Sequence, residues 1–595
     1  MHKNSKIILQ IILIVLSAFA LIFSFGCGGK EQDDSQTILI YMCGSTLESK
    51  SGEATKNIKE LLQADVPENV NIIIQTGGSK SWKIAGISEN NTDRYKIDNK
   101  RLILVDRIAE KQNFGESATL TSFISYGLAN YPAAHTSLIL WDHGGGSVDG
   151  VCLDENYNFD SLTLTELSTA LKDANLTTKF DFIGFDACLM ATYETATAIA
   201  PYANYMVASQ EKEPSGGWDY GALVKSIGTE TFYSDLLSSY ATKSADKDYY
   251  TLSCFDLNGL SDVDDMFSAL IDEMSKSGKR TVVNAFNDAA TFGLKGSGLF
   301  DLGNLFDYYD VAGDYLNHVT KVTSEMKHEA TGLSIYFPLY DVSGAESYYD
   351  ICQNEKYKAF LTDFNSDDGT GINFETYAEE IDNKLAFTLT YNSMANFAEV
   401  DYILISVDSD SEQASPIPYL LGNDNDAQVS GNKITIAFEG RWVQFGGQLL
   451  SCTIVDDIDG KTYYQAPVKV NGEVAQLLFE FDREKRVSDI IGVTYATDNY
   501  GRIYNLVAGD KIVVGTRLCD QSVYTTIYSD EKVFSYSGQD IEIVSLPDGY
   551  YQYTAFVRDV YGNVYTAGTA QVYVTSGDTK IQLITTDEVQ YPPLG

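Results

Sequence analysis

The stretch Phe180-Asp181-Phe182-Ile183-Gly184-Phe185-Asp186-Ala187-Cys188-Leu189-Met190 constrains this chain more than any other. A short, nearly continuous apolar run reads as a strand buried on both faces, the pattern of a mainly parallel sheet covered by helices. The spacing that follows predicts a helix, with Cys188 at the junction. The unpaired N–H groups and dipole of a first helical turn favour a thiolate there, which makes Cys188 a candidate nucleophile. A cysteine alone in such a run is better explained as a packing residue.

A second run, Ser137-Leu138-Ile139-Leu140-Trp141, ends in Asp142-His143-Gly144-Gly145-Gly146. The chain has 5 histidines, and this one falls just past the carboxyl end of a strand, where α/β sheets place their chemistry. A cysteine nucleophile needs an imidazole partner, and His143 meets that need. The glycines let backbone approach a substrate closely, and the N–H groups of Gly144 and Cys188 are candidate oxyanion donors. Further apolar runs begin at Thr37, Asn71, Leu102 and Tyr205, with helical patterns over 54–62 and 120–128 between them. That alternation predicts a mainly parallel sheet with helices on both faces. Thr163-Leu164-Thr165-Glu166 is a capping box that starts a helix near Leu164 and carries it to about Asp173.

Asp142-His143-Gly144-Gly145-Gly146 followed by Asp186-Ala187-Cys188-Leu189-Met190 resembles the His/Cys pair of the clostripain family of cysteine peptidases. Thr37–Met42 and Gly332–Pro338 are similar to that family's first and last core strands, so the resemblance covers roughly residues 36 to 365. It implies a caspase-like fold and cleavage of peptide bonds by a Cys/His dyad. It also implies that Asp186 selects Arg or Lys in the substrate pocket, a role that suits the pairing of a partly desolvated carboxylate with guanidinium. Read from its position alone, Asp186 would equally cap a helix. The loop Ser209 to Tyr220 resembles the family's cleft wall, which makes Trp218 and Asp219 candidate substrate contacts; a packing tryptophan in a solvated loop explains them as well. Some relatives mature by cutting after a basic residue in the loop beyond the histidine. Here no Lys or Arg stands between Gly144 and Leu171, so that connection is expected to stay uncut.

Residues 1–27 read as a lipoprotein-type signal: Lys3 and Lys6, an apolar stretch from Ile7 to Phe25, then Cys27 as the lipidation site. An uncleaved anchor is the alternative, and both place the rest on the outer face of a bacterial cytoplasmic membrane. Residues 28–36 would be a tether, 37–364 the peptidase domain, 365–383 a linker and 384–595 an all-β region of one or two sandwiches. That region repeats a hairpin-turn pattern at Asp457–Tyr463, Asp498–Tyr504 and Asp559–Tyr565. The net charge of −41 over 595 residues argues against nucleic acid, whose phosphates call for clustered Lys and Arg. The cysteines lack CxxC spacing, so neither a disulfide framework nor a cysteine zinc site is indicated.

No cofactor or metal site is expected. Asp154, Asn156, Asn158 and Asp160 have alternate spacing, but Phe159 stands where a calcium loop wants glycine, so a polar turn is the reading and calcium dependence stays open. His318 and His328 near Glu325 and Glu329 match no HExxH arrangement and read as surface helix residues. The principal expectation is a surface-anchored cysteine endopeptidase acting on peptides or proteins after Arg or Lys. The alternative is a non-catalytic surface lipoprotein that uses the same fold as a scaffold for its β-rich part, and a zinc hydrolase is a distant third.

Overall fold

A computed structural model of the chain describes residues 33–583 apart from 248, 294–296, 340–342, 367–370, 408–417, 459–460, 483–486, 496–502, 521–522 and 576–577. Cys27, the signal and most of the tether lie outside the described residues. Among the described residues no helix is long and apolar enough to cross a membrane.

Nine strands form the first sheet: β1 (Gln36–Cys43), β2 (Val70–Gly77), β3 (Thr92–Asp98), β4 (Arg101–Ile108), β5 (His135–Trp141), β6 (Phe180–Asp186), β7 (Ala203–Ala208), β8 (Thr251–Asp256) and β9 (Val319–Thr323). Their order is β9-β8-β7-β6-β5-β1-β2-β3-β4. The centre, β2-β1-β5-β6-β7, is parallel, and both flanks are antiparallel. Alternation along β1 shows why both faces are covered. Ile38, Ile40 and Met42 pack with Ile58 and Leu61 of helix α1 (Glu53–Gln63), while Leu39, Tyr41 and Cys43 pack with Leu120, Phe123 and Ile124 of α2 (Ser117–Asn130). Side chains of a strand alternate between faces, so an all-apolar strand requires helices on both.

Helix α3 (Leu164–Asp173) opens at the expected capping box, with Thr163 Oγ1 accepting from the Glu166 N–H and Glu166 reaching back to Thr163 N. It forms the crossover between β5 and β6. Two expectations are corrected. Ser334–Tyr336, expected as the last core strand, which would close the main sheet, instead pairs in a separate three-stranded sheet with Leu299–Asp301, and β9 holds that edge of the main sheet. The expected linker is shorter than drawn, since Phe374–Ile381 is a strand paired with Lys384–Leu389.

From there to Leu583 the chain is almost entirely strand, and it builds two cores. Leu385, Leu404, Ile434, Tyr553 and Val572 lie in one, while Phe445, Val468, Leu477, Phe479 and Ile512 lie in the other. The second unit is therefore inserted between early and late strands of the first. Asp559 holds the last repeated hairpin turn by accepting from Tyr561 N, Asn563 N and Tyr565 Oη. Of the middle repeat only Ile503 and Tyr504 are within the described residues.

Candidate active site

The register of two neighbouring parallel strands builds the site. Trp141 of β5 pairs with Asp186 of β6, and the Asp142 N–H donates to the Asp186 carbonyl at 3.4 Å. Both chains leave the sheet at the same rim, so residues 143–144 and 187–188 are forced side by side. Gly144 shows how closely they approach: a Cβ at that position would meet the Cys188 carbonyl oxygen at 2.2 Å and the Ala187 Cβ at 3.2 Å. Only glycine fits there. The His143 carbonyl accepts from Cys152 N and the Gly145 N–H donates to Gly150 O, so the ladder bonds belong to the neighbours of Gly144 rather than to its own peptide.

His143 is 2% exposed, and its Nε2 lies 2.9 Å from Thr46 Oγ1, contributed by the short helix Ser45–Ser49 beyond the carboxyl end of β1. Asp142 Oδ1 is 4.0 Å from the same nitrogen. Asp142 also faces the thiols of Cys43 and Cys152; burial first, and then this carboxylate, push both thiols well above their ordinary range. Both changes disfavour the reactive thiolate at these two cysteines.

Cys188 does not open a helix. The turn Cys188-Leu189-Met190 intervenes, Leu189 takes the left-handed region at φ 65°, and the next helix, α4 (Tyr193–Ile199), starts at an N-cap supplied by Thr192. The expected stabilisation of the sulfur by a first helical turn is thus replaced by a direct bond, in which the Glu213 N–H donates to Cys188 Sγ at 3.2 Å. The loop carrying that donor is anchored on a buried ion pair. Glu211 Oε2 lies 3.0 Å from Lys327 Nζ, and Glu211 Oε1 accepts from Lys212 N and Gly293 N. The Leu189 N–H donates to Glu211 O, tying the nucleophile turn to the same loop.

Asp186 is fully buried and caps no helix. Its Oδ2 accepts from Tyr220 Oη at 3.0 Å, and Oδ1 sits 3.4 Å from the Trp218 N–H. Trp218 does not border an open cleft: its ring packs inside the core against Gly184, where a Cβ would meet it at 2.6 Å. Asp219 is committed as N-cap of helix α5 (Tyr220–Ser226), accepting from Ala222 N at 2.8 Å, so it adds no free charge to a pocket. Both roles follow from the loop turning inward after Gly217, at φ 54°.

Among the described residues no group of three His, Cys, Asp or Glu side chains could hold a metal ion. The Asp154 carboxylate accepts from Asn156 N and Phe114 N and caps a 3-10 turn. His318 ends a 3-10 turn and lies 3.2 Å from Asp262, while His328 follows another, so neither sits on the helix expected. Sequence reasoning missed Thr46, Glu211, Glu213 and Lys327. Thr46 had a signal in its place just beyond a central strand; the other three meet only in the folded chain.

His143 and Cys188 thus leave adjacent parallel strands of an α/β sheet at one rim, and comparison gives the family. The clostripain family model matches residues 40–402, well over half the chain, and the protein belongs to that family. Clostripain of Hathewaya histolytica is 27% identical over 232 residues, a match that spans 33% of this chain and 43% of that protein. A secreted C11 cysteine protease of Bacteroides thetaiotaomicron, solved with an irreversible peptide inhibitor, aligns at 18% identity and a TM-score of 0.42 over 55% of this chain and 99% of its own. An inactive zymogen C11 protease of Parabacteroides distasonis aligns at 20% identity and 0.41 over 55% and 98%.

Proposed function

We propose that this chain is a cell-surface cysteine endopeptidase that hydrolyses peptide bonds after Arg or Lys, with Cys188 as nucleophile and His143 as its proton partner. The observation that supports the reading is the Trp141–Asp186 register, which sets Gly144 against the Cys188 carbonyl, so that residues 143 and 188 leave the sheet at one rim. Cys188 gives its thiol proton to His143 as the sulfur forms a bond to the substrate carbonyl carbon, and the electron pair of the C=O moves onto oxygen, facing the N–H groups of Gly144 and Cys188. As the intermediate collapses, the C–N bond breaks and His143 gives its proton to the leaving amine. Water then attacks the thioester with His143 taking its proton, which releases the acid and restores the thiol.

Asp186 is the proposed receptor for the basic side chain. It is buried, and Tyr220 Oη fixes the direction of its carboxylate. Residues 1–27 and Cys27 supply the proposed lipid anchor, which would hold the enzyme at the outer membrane face. Substituting Cys188→Ala is expected to abolish cleavage of an Arg-containing reporter peptide, and retained cleavage would move the nucleophile elsewhere. Asp186→Asn is expected to weaken Arg and Lys substrates selectively; an equal loss on substrates without a basic residue would refute the pocket role.

A further inference from the structure

A polypeptide substrate has to lie across the nucleophile, yet Cys188 and His143 are 0% and 2% exposed. Three contacts seat the inserted β unit beside the site. Ile503 makes a parallel bridge with Pro214, the residue directly after Glu213, whose N–H donates to Cys188 Sγ. Next to it, Val455, Tyr463, Leu478 and Ile503 of the β unit bury together with Tyr249 and Met326 of the peptidase. On the other side of the rim, Glu473 reaches Lys50 at 4.0 Å, just past the helix whose Thr46 meets His143 Nε2. The contacts thus bracket the site from the element that orients the imidazole to the loop that donates to the sulfur.

This is an apolar, closely fitted contact rather than a loose approach. Ile503 is 5% exposed, and Tyr504 packs against the cluster that holds Trp218 and Tyr220. A small cavity of about 20 Å³ remains between Lys212, Tyr249 and Gly293 on one side and Val455, Tyr463 and Leu478 on the other.

Resting on the reading of Cys188 as nucleophile, we propose that the inserted β unit is an intramolecular inhibitor, and that the peptidase stays latent until this unit is displaced or cut away. The test uses the full exported chain, unaltered and with Ile503→Glu or Ile503→Ala. Alkylation of each cysteine by iodoacetamide is followed by peptide mass mapping, and hydrolysis of an Arg reporter is measured in parallel. Cys188 of the unaltered chain is expected to alkylate slowly, and the substitutions to speed it by roughly ten-fold or more, as expected when local opening controls access. Cys43 and Cys152 should stay slow, since burial and the Asp142 carboxylate hold both thiols well above their ordinary range.

Access alone is read by alkylation, so faster labelling of Cys188 without reporter cleavage supports the cover while refuting the catalytic reading. The proposal is overturned if Cys188 of the unaltered chain labels as fast as an exposed thiol. It is also overturned if both variants, folded by circular dichroism, keep the slow rate, or if Cys43 and Cys152 speed up together with Cys188. The milder Ile503→Ala variant keeps the test valid where a buried glutamate prevents folding.

Discussion

Replacing Lys327 by methionine isolates what holds the loop beneath the nucleophile. Lys327 and Glu211 have side chains 3% and 0% exposed with 3.0 Å between charges, and Lys327 Nζ also donates to Thr291 O. Methionine keeps most of the volume between the Tyr249 and Phe292 rings but leaves the Glu211 carboxylate buried without a countercharge. Breaking a buried pair from one side typically costs about 3–5 kcal/mol. Glu211 retains the N–H donors of Lys212 and Gly293, which places this case near the lower end, at about 3 kcal/mol.

The loss falls on the loop 209–214 and the turn after Cys188, because Leu189 N and Glu213 N take their partners across that junction. Amide hydrogen exchange of this segment should then speed by roughly 100-fold, each ten-fold being about 1.4 kcal/mol. The double variant Glu211→Gln with Lys327→Met removes both charges and should recover most of that difference. Exchange within about three-fold of the parent for the single variant would refute the reasoning, since a cost below about 1 kcal/mol means that the pair is not what anchors the loop.

Three further outcomes are expected. Thr46→Val, close in shape, removes the partner 2.9 Å from His143 Nε2 and should lower kcat/KM of the uncovered enzyme by about 5- to 30-fold, matching about 1–2 kcal/mol; an unchanged value would remove Thr46 from the site. Gly144→Ala drives a methyl into the Cys188 carbonyl and should abolish reporter cleavage while the far-ultraviolet spectrum holds, so a near-normal rate would contradict the close approach. The third concerns Glu194, which accepts from Ser147 Oγ, Tyr348 Oη and Tyr336 N, and whose burial lifts its carboxyl pKa above 4.5. The folded state therefore binds its proton more tightly than the unfolded chain does. This contribution to stability is greatest below that window and is lost as pH rises through it. In melting experiments from pH 4.5 upward, Glu194→Gln should flatten the decline, and parallel curves would contradict the assignment.

The parallel strands and their rim were legible because β5 and β6 are apolar on both faces and end at chemically distinctive residues. Helix α3 was legible from Thr163 and Glu166, whose reciprocal bonds are local. The role of Cys188 at a helix start was not. The apolar residues after it are buried in an irregular turn, and the better signal was Thr192, which caps α4 with Thr195 N as donor. Asp219 had the same local signal, an aspartate ahead of a helix, but its place in a loop similar to a cleft wall pointed elsewhere. Ser334–Tyr336 has an ordinary strand pattern, and nothing local states which sheet a strand joins. The Glu211–Lys327 pair and the Pro214–Ile503 bridge join residues far apart in sequence, so periodicity holds no trace of them.

The central claim, a thiol and an imidazole acting together at one rim, is tested most directly by treating the uncovered enzyme with an Arg-directed electrophilic peptide and locating the adduct by mass spectrometry. A single adduct on Cys188, lost in Cys188→Ala and strongly slowed by His143→Ala, is the predicted result. An adduct on another cysteine, or labelling of Cys188 at the same rate without His143, would contradict it.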